Sequence, residues 1–381
     1  MSLDPTADQR LFQTTTRDFL AATVPLDTVR ALAAPDAEFD RDWWRRGVEL
    51  GWTTPLVPES LGGGAVSDAP LADLALIAEE FGRACAPGPL VTGNAALAGL
   101  LRSAGDFTRV IGEVVDGASI VVWAHYEPDA GFVARRVDTV ATEAGAGLRL
   151  SGAKDRVEYG AEADLLLVDA QGPAGPVQVL VATDAPGVTI TPTWTLDAVR
   201  HTATVTFDNV EISPEAVVHR EPADAAAAVE TQLLIASALS ASEMTGATAH
   251  AFEVTVQWMF DRYSFGRPLA SYQALKHRAA DMATTLEACR ATSWAAAHSF
   301  GSDPAASGGQ PDTAAAVGTA KSFVGGSTGP IVQECVQLHG GLGVTWEHDM
   351  HLFLRRVTLG RALYGTPAEH RRRLTDLLEA S

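Results

Sequence analysis

Cysteine is scarce in this 381-residue chain: Cys85, Cys289 and Cys335 are the three present, and they lie far apart. That spacing offers no metal-ligand cluster, and free thiols in a reducing cytoplasm are the expectation. Basic residues are outnumbered, with 28 Lys and Arg against 47 Asp and Glu, for a formal charge of −19. A phosphate-binding surface for nucleic acid needs a strong cationic field, and this field has the opposite sign. A single nucleotide ligand is not excluded, because a few local cations and helix ends suffice to hold one. Long apolar runs are missing too; none approaches the ~20 residues that span a bilayer. The N-terminal MSLDPTADQRLF lacks a basic segment followed by an apolar one, so it is not a secretory signal. A cytoplasmic protein without a membrane span is expected.

What remains is ordinary globular material, 46% hydrophobic and 20% charged. The length allows two or three domains around sizeable cores. Residues 1–116 read as helical. Thr6 with Gln9 forms a capping box ahead of Leu11 and Phe12, and Leu71–Arg83 repeats apolar residues at helical spacing with Glu79 and Glu80 on the wet side. Near Ala118 the period shortens. Ser119–Ala124, Leu148–Leu150, Leu165–Val168, Val177–Ala182, Val188–Thr191 and Ala203–Phe207 read as strands, separated by turn formers at the spacing of an antiparallel barrel or sandwich. This β segment covers 117–222. Helical spacing returns over 223–381: Phe252, Val256 and Met259 share one face, and Leu374, Leu377 and Leu378 form a closing stripe. Gly301–Asp312, rich in turn formers, reads as a surface loop.

Three motifs follow one another in the last third of the chain. They are Arg262-Tyr-Ser-Phe-Gly-Arg-Pro-Leu269, Tyr272-Gln-Ala-Leu-Lys-His277 and Gln337-Leu-His-Gly-Gly-Leu-Gly343. Weaker echoes are Gly51-Trp, Val57-Pro-Glu with Gly62-Gly, Glu127-Pro and Arg355-Arg. Gly340-Gly341 is no dinucleotide fingerprint, since no strand precedes it. In this order the set resembles the acyl-CoA dehydrogenase family over essentially the full chain. The resemblance implies an α+β fold with an N-terminal α-helical domain, a middle antiparallel β-barrel or sandwich and a C-terminal four-helix bundle. It also implies FAD, a tetramer, an acyl-CoA substrate, an electron-accepting flavoprotein or its equivalent, and oxidation of the thioester to the 2,3-enoyl-CoA.

In that family one subunit cradles the flavin ring and its neighbour lends residues to the pyrophosphate and adenosine. The lending set matches here. Arg262 corresponds to the arginine that reaches a neighbour's phosphates, Phe265 and Gln273 to adenosine-side positions, and Gln337, Gly340 and Gly341 to the turn that approaches the pyrophosphate. Thr366 aligns with the threonine of the family's Tyr-Glu-Gly-Thr. A plainer reading competes, in which Arg262 makes a helix-end salt bridge and the glycines merely turn the chain.

The cradle itself does not match. The family's Thr-Glu-Pro stretch reads Tyr126-Glu-Pro-Asp-Ala-Gly-Phe132, so Tyr126 replaces a small hydroxyl and Phe132 a serine. Its Trp-x-Thr reads Arg156-Val-Glu158. Tyr364 stands where the catalytic glutamate belongs, and an ordinary tyrosine is neutral at pH 7, so no catalytic residue is assigned. Some members carry the base on an upstream helix, where this chain has Ala236. Glu243 would share that helix face roughly 10 Å further along, and Glu230 would be rotated off it.

The expectation is a subunit of a hetero-oligomeric dehydrogenase whose homologous partner carries the glutamate, with a bulky steroid-type acyl-CoA as the substrate class. A self-sufficient dehydrogenase with another base, or a flavin-dependent oxygenase of the same fold, are the alternatives.

Overall fold

Thr6 opens the first helix as its sequence dictates: its hydroxyl accepts from the Gln9 N–H (3.2 Å), and its own N–H donates to the Gln9 side chain (2.9 Å). The computed structural model describes residues 4–34, 37–131, 137–307 and 310–380. Six helices come first: α1 (Ala7–Thr23), α2 (Leu26–Leu32), α3 (Arg41–Val48), α4 (Pro70–Ala84), α5 (Leu90–Leu101) and α6 (Thr108–Val115). An aromatic knot holds them, with the Trp52 and Phe81 rings edge to face at 4.7 Å and Trp43 and Trp44 against Trp52. Such pairs add to the gain from burying large apolar area.

Glu80 departs from its expected place on the wet side. Helix α4 packs against both α1 and α7 (Pro222–Asp261), which leaves it little free surface. Glu80 is therefore 1% exposed, and the Arg17 guanidinium meets it with two hydrogen bonds (2.6 and 2.8 Å). Bidentate pairing is what makes a buried carboxylate tolerable.

The middle segment contains β1 (Val121–Ala124), β2 (Val140–Ala144), β3 (Gly147–Glu158), β4 (Leu165–Gln171), β5 (Pro176–Ala182), β6 (Val188–Thr193), β7 (Thr202–Ile212) and β8 (Val217–His219). One half runs β6-β7-β3-β2 and the other β4-β5-β8 with β1 on β4; the single pair Val140–Gln171 joins them. The pairing is antiparallel as expected except at β1–β4 and at that junction, where the strands run parallel. Nearly all of β1 and β4 is buried, which suits strands packed on both faces.

Helices fill the rest: α7, α8 (Gln273–His298), α9 (Pro304–Ser307), α10 (Pro311–His339), α11 (Met350–Ala362) and α12 (Pro367–Ala380). A two-strand hairpin, β9 (Tyr263–Ser264) and β10 (Arg267–Pro268), separates α7 from α8. Helices α7, α8 and α10 pack on one another, and α11 and α12 in succession complete the bundle on α10. The presumed loop 301–312 contains the short helix α9, anchored where Arg102 donates to the Ala305 carbonyl. Leu374 packs at Gly318 of α10, but Leu378 is 77% exposed, so the closing stripe is narrower than expected. By composition α7 could cross a bilayer, yet 78% of its apolar window is buried inside the protein. It is the central core helix.

How closely α4 meets α7 positions everything below. A Cβ on Gly82 would lie 1.8 Å from the Glu243 carbonyl oxygen, and one on Gly246 1.8 Å from that of Glu79. Backbone touches backbone in both directions, and no side chain can yield to make room. Gly82→Ala and Gly246→Ala are therefore each expected to cost about 1–3 kcal/mol or more in urea unfolding, the range of overpacked cores. A loss below about 0.5 kcal/mol at both would mean that the helices are not this close.

Candidate functional site: a buried charge cluster and an exposed turn

Five segments converge between the strands and α7. Where β3 pairs with β7, the register shifts between Lys154 and Val157, and Arg156 takes a positive φ of 49°. A bulge of this kind re-aims side chains. The Arg156 guanidinium lies 5.2 Å from the Tyr126 ring centre and donates to the Glu127 carbonyl (3.0 Å). Glu158 ends inside, 3% exposed. Glu127 is fixed in turn by Lys154 (2.5 Å), with both side chains almost completely buried.

The β6–β7 connection brings Asp197 and Arg200, α7 brings Glu243, α11 brings Arg356, and Tyr364 follows α11. Arg200 donates to Glu158 (2.5 Å) and to both oxygens of Glu243 (2.6 and 2.5 Å). Arg356 donates to Glu243 from the other side (2.8 Å) and to Asp197, and it also caps the carbonyls of Cys85 and Ala86 at 3.1 Å. The Tyr364 hydroxyl donates to Glu158, and its N–H donates to the Tyr126 hydroxyl (2.6 Å). Three carboxylates thus share two guanidiniums, and every residue in the chain from Asp197 to Tyr364 is at most 5% exposed.

Electrostatics fixes the protonation states. Burial pushes the Glu243 carboxyl up, but the charges of Arg200 and then Arg356 outweigh it and hold the group below the usual range. Burial, then the negative charge of Glu158, pushes the Tyr364 hydroxyl well above the ordinary tyrosine range. Tyr364 therefore keeps its proton, and Glu243 is ionised with both oxygens taken. Neither suits proton abstraction, which needs a group that can accept a proton and reach its donor. Glu230, the other carboxylate considered on α7, pairs with Arg373 nearer the surface.

The residues that the resemblance assigns to a neighbour's cofactor lie elsewhere, beginning at the far end of α7. Arg262 follows the last residue of that helix. It makes no ion pair among the described residues; its guanidinium stands 5.8 Å from the Trp258 ring centre. The hairpin turns at Phe265 and Gly266, both with positive φ, which leaves Phe265 97% exposed. Positive φ at a phenylalanine is an outlier worth a functional question. Trp258 also donates to the Leu338 carbonyl (3.2 Å) and stacks on His339, which binds the end of α7 to the end of α10. There Gln337 is exposed and Gly340 (φ 64°, ψ −143°) takes a backbone conformation that only glycine adopts readily. A Cβ at Gly340 or Gly341 would meet nothing within 4 Å. Gln273, also exposed, begins α8 beside the hairpin.

Thr366 is already occupied. Its N–H (2.8 Å) and hydroxyl (2.7 Å) both donate to Glu369, which closes a capping box on α12. Phe132 lies outside the described residues. Sequence reasoning passed over Arg200, Asp197 and the partnership of Arg356 with Glu243. Their only signal was the Arg355-Arg pair, which does not reveal its acidic partners.

Two changes test the cluster. Glu243→Gln takes from Arg200 and Arg356 the carboxylate they share, leaving Arg200 on Glu158 and Arg356 on Asp197, and is expected to cost about 1–3 kcal/mol in urea unfolding; no measurable loss would contradict the geometry. His370, which donates to the Tyr364 carbonyl (2.9 Å), is held down to about 3 by burial and then by Lys321. Between about 6.5 and that value the unfolded chain takes up a proton that the folded chain refuses. The contribution of His370 is fully present above about pH 6.5 and falls by up to about 1.4 kcal/mol per pH unit below it. His370→Gln is expected to make the fall between pH 6.5 and 5 shallower than in the parent chain.

Comparison with known proteins places this geometry. Residues 6–106 match the acyl-CoA dehydrogenase N-terminal domain and residues 226–378 the acyl-CoA dehydrogenase C-terminal domain. Acyl-CoA dehydrogenase IpdE2 of Mycobacterium tuberculosis is 29% identical over 98% of each chain, and IpdE2 of Mycolicibacterium smegmatis 30% over 91% of each. A variant of the Tcur3481-Tcur3483 steroid ACAD is 28% identical, covers 98% of each chain and superposes with a TM-score of 0.85. Butyryl-CoA dehydrogenase from Megasphaera elsdenii, 21% identical over 100% of each chain, shares the fold with a TM-score of 0.90. Motif order, helix–sheet–helix architecture and full-length likeness agree: the chain belongs to the acyl-CoA dehydrogenase family.

Proposed function

We propose that this chain is one subunit of a hetero-oligomeric acyl-CoA dehydrogenase, and that it lends its exposed turn to FAD held chiefly by a homologous subunit. One observation carries the reading. Arg262 stands by Trp258, whose bond to the Leu338 carbonyl joins the end of α7 to the Gln337–Gly341 turn, and Arg262, Phe265, Gln273, Gln337, Gly340 and Gly341 are all exposed. Arg262 offers a guanidinium with no ion pair among the described residues, suited to two phosphate oxygens, and the bare glycine backbone allows close approach. Phe265 offers a ring to an adenine. Around them Phe260, Tyr263, Val344 and Trp346 are each at least half exposed, an apolar surface of the kind that subunits cover.

When bound in the partner, FAD supplies the redox step of α,β-dehydrogenation. The partner also supplies the glutamate base, and an electron-accepting flavoprotein or its equivalent completes the cycle. The tight pairing of Glu243 with two arginines weighs against a self-sufficient enzyme. A bulky steroid-type acyl-CoA is the substrate class, supported by the likeness to a steroid ACAD across 98% of the chain. We divide the chain at 116 and 222, and place it in the cytoplasm, where three buried free cysteines are at home.

Coexpression with a homologous chain carrying Tyr-Glu-Gly-Thr tests the reading. The complex is expected to hold flavin and oxidise acyl-CoA, whereas this chain alone reduces no acceptor. Arg262→Ala is expected to weaken flavin retention about 10–100-fold, the worth of charge-assisted phosphate bonds. Unchanged flavin affinity in that variant would remove the lending role.

A further inference from the structure

We propose that Tyr126, Glu158, Arg200, Glu243 and Tyr364 act as a built-in occupant, which closes this chain's own flavin position and binds its segments together without a ligand. The inference rests on the reading of the chain as a lending subunit and says what became of the site it does not use.

Three observations carry it. The first is space. A slot for a tricyclic ring leaves its walls open to water, yet Tyr126, Glu158 and Tyr364 are 2–3% exposed and the two tyrosine ring centres stand 6.2 Å apart. The second is bonding capacity. One oxygen of Glu158 takes the Tyr364 hydroxyl and the other takes Arg200, while the Tyr126 hydroxyl is committed to the Tyr364 N–H. Groups so engaged have little left for a flavin carbonyl or ring nitrogen. The third is charge. Glu158 is a buried carboxylate at the position of the family's flavin-side threonine, and negative charge there opposes the electron density that a reduced ring gains. FAD therefore does not fit this position as built.

Opening it would also be expensive. Moving Glu158 aside leaves Arg200 with Glu243 alone, and moving Tyr364 uncovers a buried carboxylate. Breaking one partner of a buried pair leaves an uncompensated charge. The cluster does a ligand's structural work instead: it ties β3 and the β6–β7 connection to α7 and to the segment after α11. The subunit folds to its working shape without waiting for flavin.

Hydrogen–deuterium exchange on the purified full-length chain, with and without a large excess of FAD, tests this. Peptides covering 121–127, 154–160 and 361–367 are expected to exchange slowly in both conditions, with no added protection from FAD. Protection by FAD in these peptides would overturn the proposal. A variant with Tyr126→Thr, Arg156→Trp and Glu158→Thr restores a family-like ring face. It is expected to gain at least about tenfold in FAD affinity by flavin fluorescence quenching. A variant that melts cooperatively but binds FAD no better than its parent would also overturn the proposal. Should it fail to fold, the exchange result on the native chain decides. Failure of the lending role has a different signature, unchanged flavin affinity on Arg262→Ala in the coexpressed pair, and leaves these peptides untouched.

Discussion

The carboxylate of Glu243, held between Arg200 and Arg356, is the joint on which the rest of the structure turns. A single carboxylate buried this deeply would shed its charge by taking a proton. Two guanidiniums at hydrogen-bond distance reverse that, and each is anchored again, Arg200 on Glu158 and Arg356 on Asp197. The arrangement needs α4 and α7 in backbone contact, because Arg356 also caps carbonyls just after α4. Small residues at Gly82 and Gly246 and large charges at Arg200 and Arg356 are thus parts of one device.

The same joint divides the molecule's chemistry in two. Inward, the carboxylates of Glu158, Asp197 and Glu243 are each bonded to Arg200 or Arg356. Outward, some turns further along α7, the polar and aromatic groups are left exposed around bare glycine backbone. One long helix carries both, with its middle fixed by the charge chain and its end presenting Arg262.

Much of the fold was legible because its signals are local. The capping box at Thr6 depends on three neighbouring residues, and strands such as Leu165–Gln171 declare themselves by β-branched and apolar runs. Errors arose where burial came from distant elements. Glu80 has the polar character of a solvent face, but α1 and α7 cover that face and Arg17 neutralises it. Leu378 has the spacing of a core stripe, yet its helix supplies the residue where little remains to pack against. The parallel pairing of β1 with β4 was beyond reach for the same reason, since strand direction is settled by partners 44 residues away.

By itself the sequence determined the family-like motif order, the helix–sheet–helix succession and a tyrosine at 364, all of which are read from residues close in the chain. Only the tertiary structure decided which charged groups meet at the centre of the molecule. Asp197, Arg200, Glu243, Arg356 and Tyr364 are spread over 168 positions, and nothing local marks any of them as a partner of the others. An ion pair's energy depends on separation and on exclusion of water, and both quantities come into being only when the chain has folded.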